Sequence, residues 1–247
     1  MLCVAKNNNE YVEVTPVKVV KDNSLLNVIK GMNSNTANYT FNLTADMFDE
    51  NSTTINQSHL ENNLNLSNVE IPNKIVTIDK YAFRGCANLL SVKIGNGITA
   101  INERAFYGCN NLSKITINNN NKVIIRTFSF SYIRNQGELT ITGQVSFDTE
   151  GWRYNDYKIL RIPNATYIGN RAIYICPYLK IVDFRGRTLT TIPTRLDQTS
   201  FTATGNSDVP TDCKFIVPDE LYDQWIVATN WVTIADRIVK ASEYTEA

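Results

Sequence analysis

The stretch LSNVEIPNKIVTIDKYAFRGC, residues 66–86, decides the fold of this chain because it returns 23 residues later as LLSVKIGNGITAINERAFYGC, residues 89–109. Both copies close on Ala-Phe-x-Gly-Cys, and both carry apolar residues at matching places. A fixed period in the low twenties is typical of a coil whose turns stack on one another. We therefore predict a repeat solenoid, a class of fold that commonly offers an extended surface to a partner.

The apolar strand at the head of each repeat can be followed along most of the chain. The last inward residues of these strands are Ile71, Ile94, Ile117, Ile141, Ile162, Phe184 and Val217, at spacings of 23, 23, 24, 21, 22 and 33. The repeat is clear over residues 66–117, well kept over 159–184 and degenerate over 118–158. Stacking of such strands aligns their apolar side chains inside the coil and pairs the backbone between turns.

The chain divides into three predicted segments. Residues 1–40 are an N-terminal attachment or capping segment, residues 41–217 the solenoid, and residues 218–247 a helical C-terminal cap. Proline and acidic residues favour a helix start at the cap. Helical spacing is seen for Leu221, Trp225 and Ile226, and then for Trp231, Ile234 and Ile238.

Before the clear repeats, the pattern is weaker. Phe41–Leu43 is predicted as a degenerate first turn, Tyr11–Val20 as a strand because its apolar residues alternate, and the polar stretch 51–65 as a loop.

Charge and hydropathy exclude two classes of partner. Lys plus Arg and Asp plus Glu number 24 each, so no net field favours nucleic acid. No stretch reaches the roughly 20 apolar residues of a membrane helix, so we expect no membrane insertion. The first residues also lack the basic start and apolar run of a secretory signal. We therefore expect synthesis in a cytoplasm and no ordinary secretion.

The five cysteines are predicted to be free thiols. They are Cys3, Cys86, Cys109, Cys176 and Cys213. Three of them share one repeat position, where a small apolar side chain faces inward. A reducing site of synthesis disfavours a disulfide between neighbouring turns.

The histidine, cysteine and acidic residues of the chain do not form a recognisable catalytic or metal-binding motif. His59 is the only histidine and is expected to be a hydrated loop residue, whereas a Ser or Cys nucleophile needs a base. Cysteines 23 residues apart follow the repeat and lack zinc-ligand spacing. The acidic groups at 46–50 and 148–150 lack the oxygen spacing of a calcium loop. We expect no enzyme activity, cofactor or metal, although a carboxylate pair for glycoside hydrolysis stays open.

The outward residues of the strand heads are the candidate binding residues. They are Glu70, Ser91, Lys93, Lys114, Thr116, Thr140, Arg161 and Asp183. A mixed, hydroxyl-rich strip suits a glycan or protein, but it equally fits the solvated side of a sheet. Trp152, Tyr154 and Tyr157 form a possible aromatic patch: exposed, they would stack on sugar rings, and buried, they would fill a widened turn.

The pattern I-x-x-Ala-Phe-x-Gly-Cys-x-x-Leu-x-x-Val-x-Ile resembles the BspA-like class of leucine-rich repeats. The segment KFIVPDELYDQWIVATNWVTIADRIVKASEY, residues 214–244, is similar to the closing segment of BspA-like proteins in gut bacteria and their phages. The resemblance implies a mainly β leucine-rich-repeat solenoid with a period of about 23 and a short helical cap. It also implies a role as a surface adhesin or as a component of a phage virion.

Bacterial surface members of this class normally carry a signal peptide, and none is recognised here. The resemblance therefore favours a non-enzymatic tail or capsid-decorating protein, made in the host cytoplasm and involved in host attachment. The N-terminal segment would contact other virion proteins, and the solenoid a host-surface protein or glycan. The alternative is an extracellular adhesin on a bacterial surface that binds host proteins. A glycan-active enzyme is a weaker third hypothesis, and association with further copies of the chain stays open.

Overall fold

The computed structural model describes residues 3–7, 10–14, 41–43, 51–117, 122–195, 201 and 209–245. The strands in this part of the chain are β1 (Cys3–Asn7), β2 (Glu10–Val14), β3 (Phe41–Leu43), β4 (Thr54–Ile55), β5 (Leu66–Ile71), β6 (Thr77–Ile78), β7 (Ser91–Ile94), β8 (Ala100–Ile101), β9 (Lys114–Ile117), β10 (Val123–Ile125), β11 (Glu138–Ile141), β12 (Val145–Phe147), β13 (Trp152–Arg153), β14 (Ile159–Arg161), β15 (Ala165–Ile168), β16 (Ile173–Tyr174), β17 (Ile181–Asp183), β18 (Thr194–Arg195), β19 (Lys214–Val217) and β20 (Ile238–Lys240). Helix α1 is Tyr222–Val227, and the 3-10 helices are Asp219–Leu221, Val232–Arg237 and Ala241–Glu243.

Two parallel sheets run along the stack. The head sheet has nine strands in the order β20-β19-β17-β14-β11-β9-β7-β5-β3, and the second sheet has seven in the order β18-β15-β12-β10-β8-β6-β4. Each strand therefore pairs with the equivalent strand one turn away. This arrangement confirms the predicted solenoid. Strands β13 and β16 add a small parallel pair, and β1 and β2 form an antiparallel pair.

An aromatic stack fills the interior. The ring centroids of Phe83 and Phe106 are 5.0 Å apart with planes 2° from parallel, and those of Phe106 and Phe130 are 5.1 Å apart. Trp152 continues the stack at 6.1 Å from Phe130. All four side chains are fully buried. Equivalent residues of consecutive turns therefore superpose, as the 23-residue period predicts.

A second ladder ties several turns to their neighbours through small polar groups. The thiol of Cys86 donates to the carbonyl of Leu60 at 3.1 Å, and that of Cys109 to the carbonyl of Phe83 at the same distance. Asn155 takes the cysteine position two turns on, and its Nδ2 donates to Phe130 O at 2.5 Å. Cys86, Cys109, Cys176 and Cys213 are free and buried, which confirms the predicted thiols at these positions. The side chain of Cys3 lies outside the described residues.

Tight corners require backbone in the left-handed region. Gly85 and Gly108 both have φ of +70°, and a Cβ on Gly85 would lie 2.2 Å from Oδ1 of Asn62. In the next two turns Tyr132 and Tyr154 take the same place, with φ of 57° and 62°. The repeat therefore keeps its corner conformation where the glycine is lost.

The prediction of a loop over residues 51–65 is wrong. This stretch is a further turn of the solenoid: β4 pairs with β6, and the backbone N–H of Leu60 donates to Ala82 O at 2.8 Å. Leu60 fills the place of Phe83, and His59 that of Ala82. His59 is half-buried in a turn between strands, so it is partly hydrated, but it belongs to a repeat and not to a loop outside the pattern. The turn is hidden in the sequence because its Ala-Phe and Cys positions are all substituted.

The N-terminal predictions have mixed outcomes. Phe41–Leu43 is the strand β3, paired with β5, as predicted. The strand predicted over 11–20 is observed as Glu10–Val14, and the remainder of that prediction lies outside the described residues.

The strand register slips between β9 and β11. Ile141 pairs with Ile115, although the apolar series makes it the equivalent of Ile117. Because side chains alternate with a period of two, a slip of two residues leaves every inward side chain inward. Gly143 then comes beside Ile117, where an added Cβ would lie 2.5 Å from the Cβ of Ile117.

The C-terminal cap closes the stack with helices and one more strand. The rings of Trp225 and Trp231 lie 4.9 Å and 6.0 Å from that of Phe184. Ile238, predicted to continue the helical spacing, instead belongs to β20, which pairs with β19. The edge of a sheet offers unpaired backbone groups, and a short final strand satisfies those of β19.

Candidate functional site

The predicted strip lies along the strands of the head sheet, and its members differ in exposure. Lys93 and Lys114 are exposed. Half-buried members are Glu70, Ser91, Thr116, Thr140 and Arg161. Asp183 retains only 3% of its surface.

Much of this strip is occupied by pairing between turns. Lys93 Nζ lies 2.7 Å from Glu70 Oε1, and Ser91 Oγ donates to Asn68 Oδ1 at 2.5 Å. The carboxylate of Asp183 accepts from the guanidinium of Arg161.

Asp183, at one end of the strip, forms an ion pair with a second arginine. Arg185 Nη2 lies 2.8 Å from Asp183 Oδ2. This carboxylate therefore already has two cations, and it offers little to a ligand.

Two of the three patch aromatics are in the core. Trp152 belongs to the interior stack, and Tyr157 is 1% exposed, with its hydroxyl donating to Leu112 O. Burial raises the pKa of Tyr157 well above its usual range. These two rings are therefore inaccessible to sugars, and Tyr154 alone reaches the surface.

Tyr154 belongs to an outer row of tyrosines. Its ring centroid is 4.6 Å from that of Tyr132, which is 4.8 Å from that of Tyr107. The three side chains are half-buried, and each ring partly covers the face of the next. Partial desolvation, and then the neighbouring Tyr154 and Tyr107, raise the pKa of Tyr132.

Arginines alternate with this row. The guanidinium of Arg84 is 5.9 Å from the ring centroid of Tyr107, and that of Arg134 is 5.7 Å from Tyr132. Arg153 lies over Tyr154 at 4.4 Å. Such contacts are favourable because the ring face is electronegative.

The row extends further at both ends. Arg104 Nη1 donates to the hydroxyl of Tyr81 at 3.0 Å, and Arg171 lies 5.7 Å from the ring of Tyr174. We call the whole row the Tyr–Arg face. Its tyrosines are Tyr81, Tyr107, Tyr132, Tyr154 and Tyr174, and its arginines are Arg84, Arg104, Arg134, Arg153 and Arg171.

Carboxylates form ion pairs with several of these arginines. Arg84 Nη1 lies 3.0 Å from Glu61 Oε1, and Arg134 Nη1 lies 3.0 Å from Asp156 Oδ1. The cation is the more exposed partner in both pairs: 47% against 22% for Arg84 and Glu61, and 55% against 13% for Arg134 and Asp156. The outermost charges at these two positions are therefore positive.

The sequence contains only a weak signal for this face. Tyr107 stands one residue before the corner glycine, whereas Tyr132 and Tyr154 replace that glycine. The spacings become 25 and 22, and no fixed period is visible. The signal that predicts the face is a tyrosine or arginine next to, or in place of, the corner glycine of each repeat.

A family model described as "BspA type Leucine rich repeat region" matches residues 53–180 in six copies. The chain belongs to the BspA-type leucine-rich-repeat family. The matched copies contain the complete Tyr–Arg face. The BspA-type solenoid suggests a protein-binding or adhesive role, and folds of this kind are typically non-enzymatic scaffolds. A comparison with curated proteins found none that matches.

Two features of the described residues bear on other chemistry. Within that part of the chain, no three His, Cys, Asp or Glu side chains are grouped so that they could hold a metal ion. The helices described there are all too short or too polar to cross a bilayer.

Proposed function

We propose that this BspA-type protein is a non-enzymatic adhesion protein that binds its partner through the outer surface of the solenoid. The observation that carries the proposal is the Tyr–Arg face. Tyrosine and arginine are enriched where proteins bind partners, because each combines a large contact area with polar groups. Here they are held by a stacked backbone, so little conformational freedom remains to be lost on binding.

The site of action that we propose is a phage particle, where the protein takes part in attachment to a host cell. Its support is the similarity of residues 214–244 to the closing segment of BspA-like proteins from gut bacteria and their phages. In this arrangement the N-terminal segment contacts other virion proteins, and the solenoid faces the host.

Adhesion is tested with the labelled, purified protein and a panel of gut bacterial cells. We expect saturable binding to some strains. The double variant Tyr132→Ala/Tyr154→Ala should lose this binding, and the control Lys114→Ala/Thr116→Ala on the head sheet should keep it. Binding to no cell type would contradict the adhesive role. If only the Lys114→Ala/Thr116→Ala variant lost cell binding, the binding site would lie on the head sheet and not on the Tyr–Arg face.

The virion assignment needs a separate experiment. Mass spectrometry of washed, gradient-purified particles should detect the protein in stoichiometric amounts. Its absence from particles, together with its presence on the bacterial surface, would establish the cell-surface adhesin instead.

A further inference from the structure

We propose that the Tyr–Arg face binds an acidic polysaccharide, whose carboxylate or sulfate groups contact the outward edges of the arginines. The inference rests on the proposed adhesive function and names the chemistry of its ligand. Three features of the face carry it: the exposure of its cations, the supply of one arginine by each of five turns, and the lack of large exposed aliphatic residues.

The outer charges favour an anion. Glu61 and Asp156 each lie 3.0 Å from one arginine and are the less exposed partner of the pair. Arg104 and Arg153 are paired with carboxylates of similar exposure, so the positive excess comes from Arg84, Arg134 and Arg171. A guanidinium has five N–H donors in a planar fork, so one carboxylate leaves several of them for a ligand. Arg171 is exposed, and no described carboxylate forms an ion pair with it. Anionic oxygens are the acceptors that such donors bind most strongly.

The spacing favours a polymer. Five consecutive turns each supply one tyrosine and one arginine, from Tyr81 and Arg84 to Arg171 and Tyr174. Turns in a parallel stack repeat at about 4.8 Å, and the outer tyrosine rings follow this repeat at 4.6 and 4.8 Å. Each of these turns therefore offers an arginine, and a flexible chain of charged units can contact several of them at once. Weak contacts of this kind add up when they are linked in one molecule.

The composition of the face favours a polysaccharide over a folded protein. Tyrosine and arginine also occur in protein interfaces, but there they normally border a desolvated centre that is more apolar than the rim. The large exposed hydrophobic residues in the described part of the chain are Leu64, Val76, Leu90, Tyr178, Val227 and Val232. None of them belongs to the Tyr–Arg face. The ring faces of Tyr107, Tyr132 and Tyr154 are also partly covered by one another, which leaves mainly ring edges and hydroxyls for a ligand.

The test is calorimetric titration of the full chain with polygalacturonate, dextran sulfate, neutral dextran and poly-glutamate. We expect binding to at least one acidic polysaccharide, no binding to dextran, and weakening as salt is raised, because salt screens exposed charges. The two acidic polysaccharides distinguish carboxylate from sulfate as the recognised group. Binding to poly-glutamate as tight as to the polysaccharides would overturn the polysaccharide assignment, and no binding to either polysaccharide would overturn the inference.

Two triple variants with equal charge loss locate the site. Arg84→Gln/Arg134→Gln/Arg171→Gln should lower the affinity by about tenfold or more, equivalent to about 1.4 kcal/mol. Lys93→Gln/Lys114→Gln/Lys180→Gln should change it by less than about twofold. Equal losses would indicate non-specific charge attraction and overturn the inference. Circular dichroism of both variants checks the fold, and cell binding without polysaccharide binding would reject this inference while leaving the adhesive function intact.

Discussion

At the scale of single residues, Cys109 illustrates how the turns are joined. Its thiol is fully buried and donates to the carbonyl of Phe83 in the preceding turn. Cys86 makes the same contact one turn earlier, and Asn155 a related one two turns later. A cysteine or an asparagine can serve at this position because each is small and carries a donor, whereas Ile133 of the turn between them fills it with an apolar side chain.

The buried thiols predict a loss of stability at high pH. Burial raises the pKa of Cys86, Cys176 and Cys213 to about 12, from 9.0 for an ordinary thiol. Between these values the unfolded chain loses protons that the native chain keeps. The free energy of unfolding should therefore be insensitive to these thiols below about pH 9 and fall as the pH rises towards about 12. Urea unfolding over this range measures the effect.

A matched variant and a chemical probe check the cause. In Cys213→Ala the free energy of unfolding should fall less steeply with pH, because one of the thiols with a raised pKa is absent. In a Cys3→Ser background, Ellman's reagent should react with the remaining thiols only after unfolding. Rapid reaction of the native protein near pH 8 would contradict the account.

At the scale of elements, the slip between β9 and β11 depends on one glycine. Gly143 stands beside Ile117 because Ile141 pairs with Ile115. An added methyl group would lie 2.5 Å from the Cβ of Ile117, which is attached directly to the backbone. Neither residue can move without shifting a strand.

Gly143→Ala is therefore expected to lower the free energy of unfolding by about 1–3 kcal/mol, the usual cost of overpacking. The control is Gly137→Ala, whose nearest neighbour is the amide oxygen of the Asn135 side chain at 3.0 Å. That oxygen also accepts a hydrogen bond from the N–H of Gly137 at 2.8 Å, which a shift of a few tenths of an ångström can keep, so a change below about 1 kcal/mol is expected. Chemical denaturation compares the two variants, and equal stabilities would show that the register differs from the one described.

The cap is attached through a buried cation. Arg237 donates to the carbonyls of Cys213, Phe201 and Pro210 at 2.9, 3.0 and 2.9 Å. Its guanidinium also lies 5.1 Å from the ring of Phe215. One side chain thus joins the last turn of the solenoid to the segment that covers it.

Arg237→Met should destabilise the protein by about 3 kcal/mol or more, because it leaves three carbonyl groups without this donor. Lys180→Met is the matched control: its ion pair with Asp212 at 2.8 Å is exposed, and such pairs contribute about 0–1 kcal/mol. Thermal unfolding followed by tryptophan fluorescence is suitable, since Trp225 and Trp231 lie in the cap. If Arg237→Met lost no more stability than Lys180→Met, Arg237 would not be important for attaching the cap.

At the scale of the whole molecule, the sequence predicts what depends on regular spacing. The strand heads and the stack of Phe83 on Phe106 follow from the period of 23, because equivalent residues of a coil must superpose. The turn containing Leu60 could not be predicted, since its key positions are substituted. The slip at Gly143 depends on contacts between turns, and these have no local pattern.

The candidate site was less predictable than the fold. Strand alternation predicts correctly that Lys93 and Lys114 face outward, but pairs such as Lys93 with Glu70 depend on the register between turns. The Tyr–Arg face arises at corners where Tyr132 takes the place of a glycine. Its position thus follows from backbone conformation, and the 23-residue period does not reveal it.

Each turn of the solenoid is stabilised by contact with its immediate neighbours. Double-mutant cycles with Phe→Leu substitutions test it directly. We predict a coupling free energy of about 0.5–1.5 kcal/mol between Phe83 and Phe106, whose rings stack at 5.0 Å. Between Phe83 and Phe130, which are separated by Phe106, the coupling should be near zero. No coupling in the first pair, or equal coupling in both, would contradict the stacked solenoid.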